Sequence, residues 1–208
     1  YGYHLAKEQI YKKNQIIVCE GYLDVIMLHQ AGFNTAVATL GTALTVEHLP
    51  LLRRGEPKVI LAYDGDKAGL AAAFKASVML SQSEFEGGVI IFADGLDPAD
   101  MVHNGKISEL NEIFSNPISY IPYSINYIVS KYDINDPNQK QKALTEANEY
   151  LKTLSLLNQD EYKRYLAQKL NIRENLIKIS SNKQRTYEPN LTKIDIAELC
   201  IIKSILEK

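Results

Sequence analysis

Four short runs rich in apolar, largely β-branched residues divide the first half of the chain: QIIVC at 15–19, NTAVATL at 34–40, KVILAY at 58–63 and VIIFA at 89–93. The runs are close to continuously apolar rather than alternating, as expected of strands buried on both faces. Between them lie segments with helical spacing. YLDVIMLHQA reads as a helix stopped by Gly32, Thr45 opens a helix reaching about Arg54, and KAGLAAAFKASVMLS forms a third, alanine-rich helix. Strand–helix alternation over 15–105 predicts an α/β unit whose mostly parallel sheet is covered by helices on both sides. Right-handed crossovers then bring the carboxyl ends of the strands to one rim.

Acidic residues follow three of those strands. Glu20 comes after the first, Asp64 and Asp66 after the third, and Asp94 and Asp97 after the fourth, with Asp100 close behind. Open α/β sheets bind ligands at that rim. Carboxylates gathered there repel one another by about 1 kcal/mol per close pair in water, and by several times that in a protein site. A cation relieves the repulsion. Oxygen-only ligands suit a hard ion such as magnesium, which completes its shell with water and substrate phosphate.

Each acid also has a plain structural reading. Glu20, before Gly21 and a helix, is equally a helix-start carboxylate, and Asp24 one turn on fits that role better. Asp66 is a natural N-cap, although Gly65 also lets Asp64 and Asp66 turn toward one ion. Asp94, Asp97 and Asp100 surround Pro98 in a loop where aspartate commonly serves turn chemistry. Lys67 opens a helix, where a cation faces an unfavourable dipole; an anionic ligand such as phosphate would account for it. Recurrence of acids after three separate strands favours the ligand reading.

Residues 106–180 contain no evident strand. ISYIPYSINYIVSKY, QKQKALTEANEYLKTLSLL and DEYKRYLAQKLNIRENLIKIS carry helical periodicity, with a break expected near Asn171, so this stretch is read as a helical bundle. Tyr120, Tyr123 and Tyr127 lie at i, i+3 and i+7, which places them in a core rather than on a base-stacking surface. Residues 181–191 read as a polar linker and IDIAELCIIKSIL, in 192–208, as the opening of a further amphipathic helix.

With 46% hydrophobic residues in 208, the chain can bury one full core and a smaller unit. No apolar stretch reaches the ~18 residues of a transmembrane helix. The chain begins at Tyr1 and closes in helix-like sequence, so it is expected to be a piece of a longer cytoplasmic protein. Cys19 and Cys200 are read as reduced structural thiols, and the four scattered histidines argue against a histidine metal site. Net charge is −2, but 1–105 hold 8 basic and 12 acidic residues whereas 106–185 hold 12 and 9. An acidic half beside a mildly basic one fits a metal centre next to a weak polyanion contact.

EGYLDV, ATLGTALT, YDGDKAG and DGLDPADMV, in this order and spacing, resemble the TOPRIM domain, and among TOPRIM proteins the bacterial DNA primases of the DnaG type. Glutamate on one strand and DxD on another are shared with topoisomerases, nucleases and recombination proteins; EGY-x-D with ATLGTALT and DGDKAG is more specific to primases. The resemblance implies a TOPRIM fold over 15–105, with 1–14 as the end of an N-terminal subdomain. A helical bundle follows over 106–180, and 192–208 would begin a helicase-binding domain. Glu20, Asp64 and Asp66 match the family's metal-ligating catalytic acids, and Asp97 matches the first aspartate of its D-P-D element. The second falls at Ala99: either Asp100, one place later, takes its part with a shifted backbone, or a second ion leans on Asp64, Asp66, Asp97 and substrate phosphate.

The implied activity is that of a DNA-directed RNA polymerase making short RNA primers on single-stranded DNA at the replication fork in the cytoplasm. Magnesium is the implied ion, replaceable by manganese, and zinc is expected only in a domain preceding this chain. Ribonucleoside triphosphates, with Lys67 as a binding residue, the template strand and the replicative helicase are the implied partners. The alternatives are a TOPRIM nuclease or topoisomerase, in which the same acids support strand cleavage, and a noncatalytic replication scaffold, which would have lost them.

Overall fold

The computed structural model describes residues 1–41, 43–92 and 96–179. Five strands form one sheet in the order β2-β1-β3-β4-β5. β1 (Gln15–Cys19) lies between β2 (Ala36–Ala38) and β3 (Lys58–Tyr63), and both pairings are parallel. β4 (Gly87–Ile91) extends the parallel array, and the two-residue β5 (Ile118–Ser119) closes its edge antiparallel. The order reverses between β1 and β3, the switch point at which doubly wound sheets hold their ligands.

Alternate residues of each strand face opposite layers. Ile16, Val18, Val59, Leu61 and Val89 point to one side, against α1 (Tyr3–Lys13), α3 (Leu49–Leu52), α4 (Lys67–Gln82) and α7 (Tyr120–Ser130). Ile17, Cys19, Ile60, Ala62 and Ile90 point to the other, against α2 (Tyr22–Gln30), α5 (Pro98–His103) and α6 (Ile107–Ser115). Cys19 is a buried free thiol, and burial pushes its pKa well up. A third cluster joins Ile121, Ile125 and Ile128 of α7 to α8 (Pro137–Leu151) and α9 (Leu156–Leu170). Phe74 and Val78 of α4 pack on that cluster, so α4 serves both the sheet and the helical layer.

The elements depart from the sequence pattern where tertiary contacts intervene. β2 ends at Ala38 because Leu40 and Gly41 take left-handed φ values of 57° and 67° and turn the chain off the sheet. The segment after Thr45 is a single 3-10 turn (Val46–His48) leading into the four-residue α3, shorter than the helix expected there. β4 begins two residues early, at Gly87 and Gly88, a pair that would normally weaken a strand. Here their bareness is needed: a Cβ on Gly88 would stand 2.8 Å from the Ile118 carbonyl carbon of β5. β5 itself is too short to show a period. α8 stops at Leu151 and α9 restarts after the extended Ser155, whereas one helix was expected across 139–157. The expected break at Asn171 is present as a left-handed C-cap with φ 50°. Leu110 and Phe114 of α6 pack on the sheet beside Ile17 and Ile60. The linker and the helix expected over 181–208 lie outside the described residues.

Among the described residues no helix is long and apolar enough to cross a membrane.

Candidate metal centre

Glu20 is the first residue beyond β1 and Asp64 the first beyond β3, so adjacent parallel strands deliver both to the same rim at the switch point. The Asp64 backbone N–H donates to Glu20 Oε1 at 3.3 Å, which ties the two strand exits together. Asp66 caps α4, its Oδ1 accepting from the Gly69 N–H at 2.7 Å. Asp97 caps α5 and accepts from the Asp100 N–H at 2.6 Å. Each cap occupies one carboxylate oxygen. Lys67, the first residue of α4, is exposed and belongs to no ion pair among the described residues.

A cleft of about 550 Å³ opens on this rim, lined by Glu20, Asp24, Tyr63, Asp64 and Asp97 with Leu23 and Ala68. Its electrostatics are those of crowded anions. Burial, then the neighbouring Asp64 carboxylate, push the Glu20 pKa up. Burial raises Asp64, with Asp97, Asp66 and Asp100 adding to it. Among the described residues no three His, Cys, Asp or Glu side chains stand close enough together to hold an ion as they are. Glu20 and Asp64 are joined directly, Asp97 shares their cleft, and Asp66 and Asp100 act on Asp64 from outside its lining. Asp94 lies outside the described residues. Ala99, at the position of the second D-P-D aspartate, is buried while Asp100 is exposed.

Asp24 is the residue that sequence reasoning left aside. It does the helix-start work expected of it, accepting from the Gly21 N–H at 3.0 Å. It also shares the cleft with Asp97, the cap of α5. Only 6% exposed, it has a pKa pushed up to about 6, chiefly by burial, with Asp97 and Asp64 adding to the rise. Its place in EGYLD, one turn after Glu20, was the available signal.

The fold gives Gly69, the glycine that ends YDGDKAG, a reason. A Cβ there would stand 2.9 Å from the Asp64 carbonyl carbon and 3.0 Å from its nitrogen, so only glycine lets the first turn of α4 lie against the Asp64 backbone.

The donor set is all oxygen and anionic, and burial with mutual repulsion raises Glu20 and Asp64 in pKa, which fits a hard divalent cation. A parallel switch-point sheet with glutamate after its first strand and DxD after its third defines a Toprim domain. The Toprim family model matches residues 14–94, and a model described as the DnaB-helicase binding domain of primase matches 123–175, on α7 to α9. The chain belongs to the bacterial DnaG-type DNA primase family.

It is 56% identical over 167 residues to a DNA primase of Helicobacter pylori, covering 80% of this chain and 30% of that protein. It is 40% identical over 212 residues to that of Campylobacter jejuni, covering 97% of this chain and 35% of the relative. A DnaG primase catalytic domain solved bound to ssDNA superposes with a TM-score of 0.74 at 28% identity, over 85% of this chain and 57% of that one. The chain thus spans about a third of the length of these curated relatives. Toprim domains of primases use divalent metal.

Proposed function

We propose that this chain is the metal-binding part of a DNA-dependent RNA polymerase that lays short RNA primers on single-stranded DNA. The observation that carries the reading is the joining of Glu20 to Asp64 at the switch-point rim, beside Asp66 and with both carboxyl pKa values raised. Glu20, Asp64 and Asp66 hold the ion, and Asp97 with Asp100 completes the outer position. Magnesium is the fitting ion, with manganese able to replace it; zinc has no fitting donor set among these acids. The chemistry supplied would be two-metal nucleotidyl transfer: one bound ion would lower the pKa of the primer 3′-hydroxyl, and the other would neutralise the triphosphate and the departing pyrophosphate. The carboxylates orient and neutralise, and none is assigned as a general base. Lys67 meets a phosphate of the incoming ribonucleotide at the start of α4.

The helicase partner is inferred from the match over 123–175. The helicase contact read from the sequence at 192–208 lies outside the described residues. The site of action is the cytoplasmic replication fork.

The test uses the intact protein carrying this chain, with single-stranded template, ribonucleotides and magnesium, as wild type and as Asp64→Ala. Wild type should incorporate ribonucleotides without cutting DNA, and the variant should do neither. Strand cleavage without incorporation would replace the primase reading with the nuclease or topoisomerase one. Undiminished incorporation by Asp64→Ala would remove the carboxylates from the chemistry.

A further inference from the structure

Helix α7 belongs to the helical layer, yet it touches the first turn of α4, just after the turn that carries the acids. The Tyr123 hydroxyl donates to the Leu70 carbonyl oxygen at 3.0 Å. One turn further along both helices, Tyr127 stacks on Phe74 with ring centroids 4.5 Å apart and planes 19° from parallel. Two consecutive turns of α7 therefore meet two consecutive turns of α4, one through a hydrogen bond and one through stacked rings.

Leu70 is held at both ends of its backbone. Its N–H donates to the Asp66 carbonyl at 2.9 Å, and its own carbonyl receives Tyr123. Its neighbour Gly69 donates to Asp66 Oδ1 and lies bare against the Asp64 backbone. Rotating or sliding the first turn of α4 would move Asp66 directly and Asp64 by contact. The hydroxyl of Tyr123 opposes both motions.

We propose that Tyr123 is a positioning residue, supplied by the helical layer, that sets the phase of α4 and thereby aims the Asp64–Gly65–Asp66 turn at its cation. The inference rests on the reading of that turn as a cation site. Tyr120 provides the contrast. On the same helix, its buried hydroxyl donates to the Val59 carbonyl oxygen, near the start of β3 and at the opposite end of that strand from Asp64. It fastens α7 to the sheet without touching the turn.

The experiment measures Mn²⁺ affinity of the 208-residue chain by the electron paramagnetic resonance of the free ion, for wild type, Tyr123→Phe and Tyr120→Phe. Thermal midpoints and ¹H–¹⁵N spectra are recorded alongside. Both variants should melt earlier, since each loses a hydrogen bond to a backbone carbonyl. Tyr123→Phe should also weaken Mn²⁺ binding about fivefold and shift the Gly69 amide resonance. Tyr120→Phe should keep wild-type affinity. Should Tyr123→Phe not fold, Phe74→Leu loosens the next turn of the same contact and is expected to weaken Mn²⁺ binding as well.

Wild-type affinity in Tyr123→Phe, or in Phe74→Leu where that variant replaces it, would overturn the positioning role and leave the cation site standing. Equal weakening in Tyr123→Phe and Tyr120→Phe would overturn it too, by showing general loosening. A wild-type chain that binds no Mn²⁺ would overturn the cation reading itself, and the inference with it.

Discussion

The Asp64 amide and the Glu20 carboxylate are bonded across two strand exits separated by 44 residues of sequence. The bond brings a second negative charge close to Glu20, and both pKa values are raised. Glu20→Gln keeps an oxygen acceptor for the Asp64 N–H and removes one charge. The metal-free variant should be more stable at pH 7 by about 0.5 kcal/mol, a small gain because both groups are partly solvated. Its Mn²⁺ affinity should fall at least about tenfold, as expected on losing a charged ligand. A thermal melt without metal and an ion titration check the two halves separately.

Gly69→Ala should destabilise the protein, against the ordinary rule. In a helix interior the change normally gains up to about 1 kcal/mol. Here the new methyl overlaps the Asp64 backbone and should cost about 1–3 kcal/mol net, as overpacking does. The displaced turn should also lose Mn²⁺ binding. Urea denaturation gives the sign at once, and a stabilised Gly69→Ala would contradict the close approach.

Asp24 makes stability depend on pH in a defined direction. Its folded pKa of about 6 exceeds the ordinary carboxyl value, so between about pH 4 and 6 the folded state binds the extra proton. Stability should therefore rise as pH falls from 7 through 6, and the gain should level off below about 4. Glu20 and Asp64 shift in the same direction. Asp24→Asn keeps an acceptor for the Gly21 N–H, should raise the midpoint at pH 7 by about 2 °C and should flatten the pH profile. Midpoints measured from pH 7 to pH 5 without metal decide it; a wild-type midpoint that drops over that range would contradict the raised pKa.

Lys67→Ala should leave α4 intact, since alanine is the better helix former. It should weaken ribonucleoside triphosphate binding by the intact protein about three- to tenfold if the ammonium meets phosphate. Titration with a fluorescent triphosphate reads the affinity and circular dichroism the helix. Unchanged affinity would leave Lys67 as an exposed lysine with no ligand.

The sequence by itself determined the strands and the acids at their ends. Continuous apolar runs suit strands buried on both faces, and that pattern reads directly as QIIVC, KVILAY and the Val89–Ile91 part of VIIFA in a parallel sheet; Ile91, the last residue of its strand, stays exposed. Once those strands run parallel, Glu20 and Asp64 must emerge on the same rim, because a strand's exit follows from its direction. Tyr120 and Tyr123 were legible as core residues from their spacing alone. What they pack against was not legible. Periodicity reports that a face is buried but not its partner, so the donation of Tyr123 to Leu70 and the sharing of α4 by two layers appear only in three dimensions. The same limit hid the second role of Asp24. Its bond to Gly21 is local and readable, whereas its place in one cleft with Asp97 depends on where α5 comes to rest. Gly69 shows the boundary most sharply. A glycine in a helix reads as a weakness until the Asp64 backbone is seen against it, and only the tertiary structure places that backbone there.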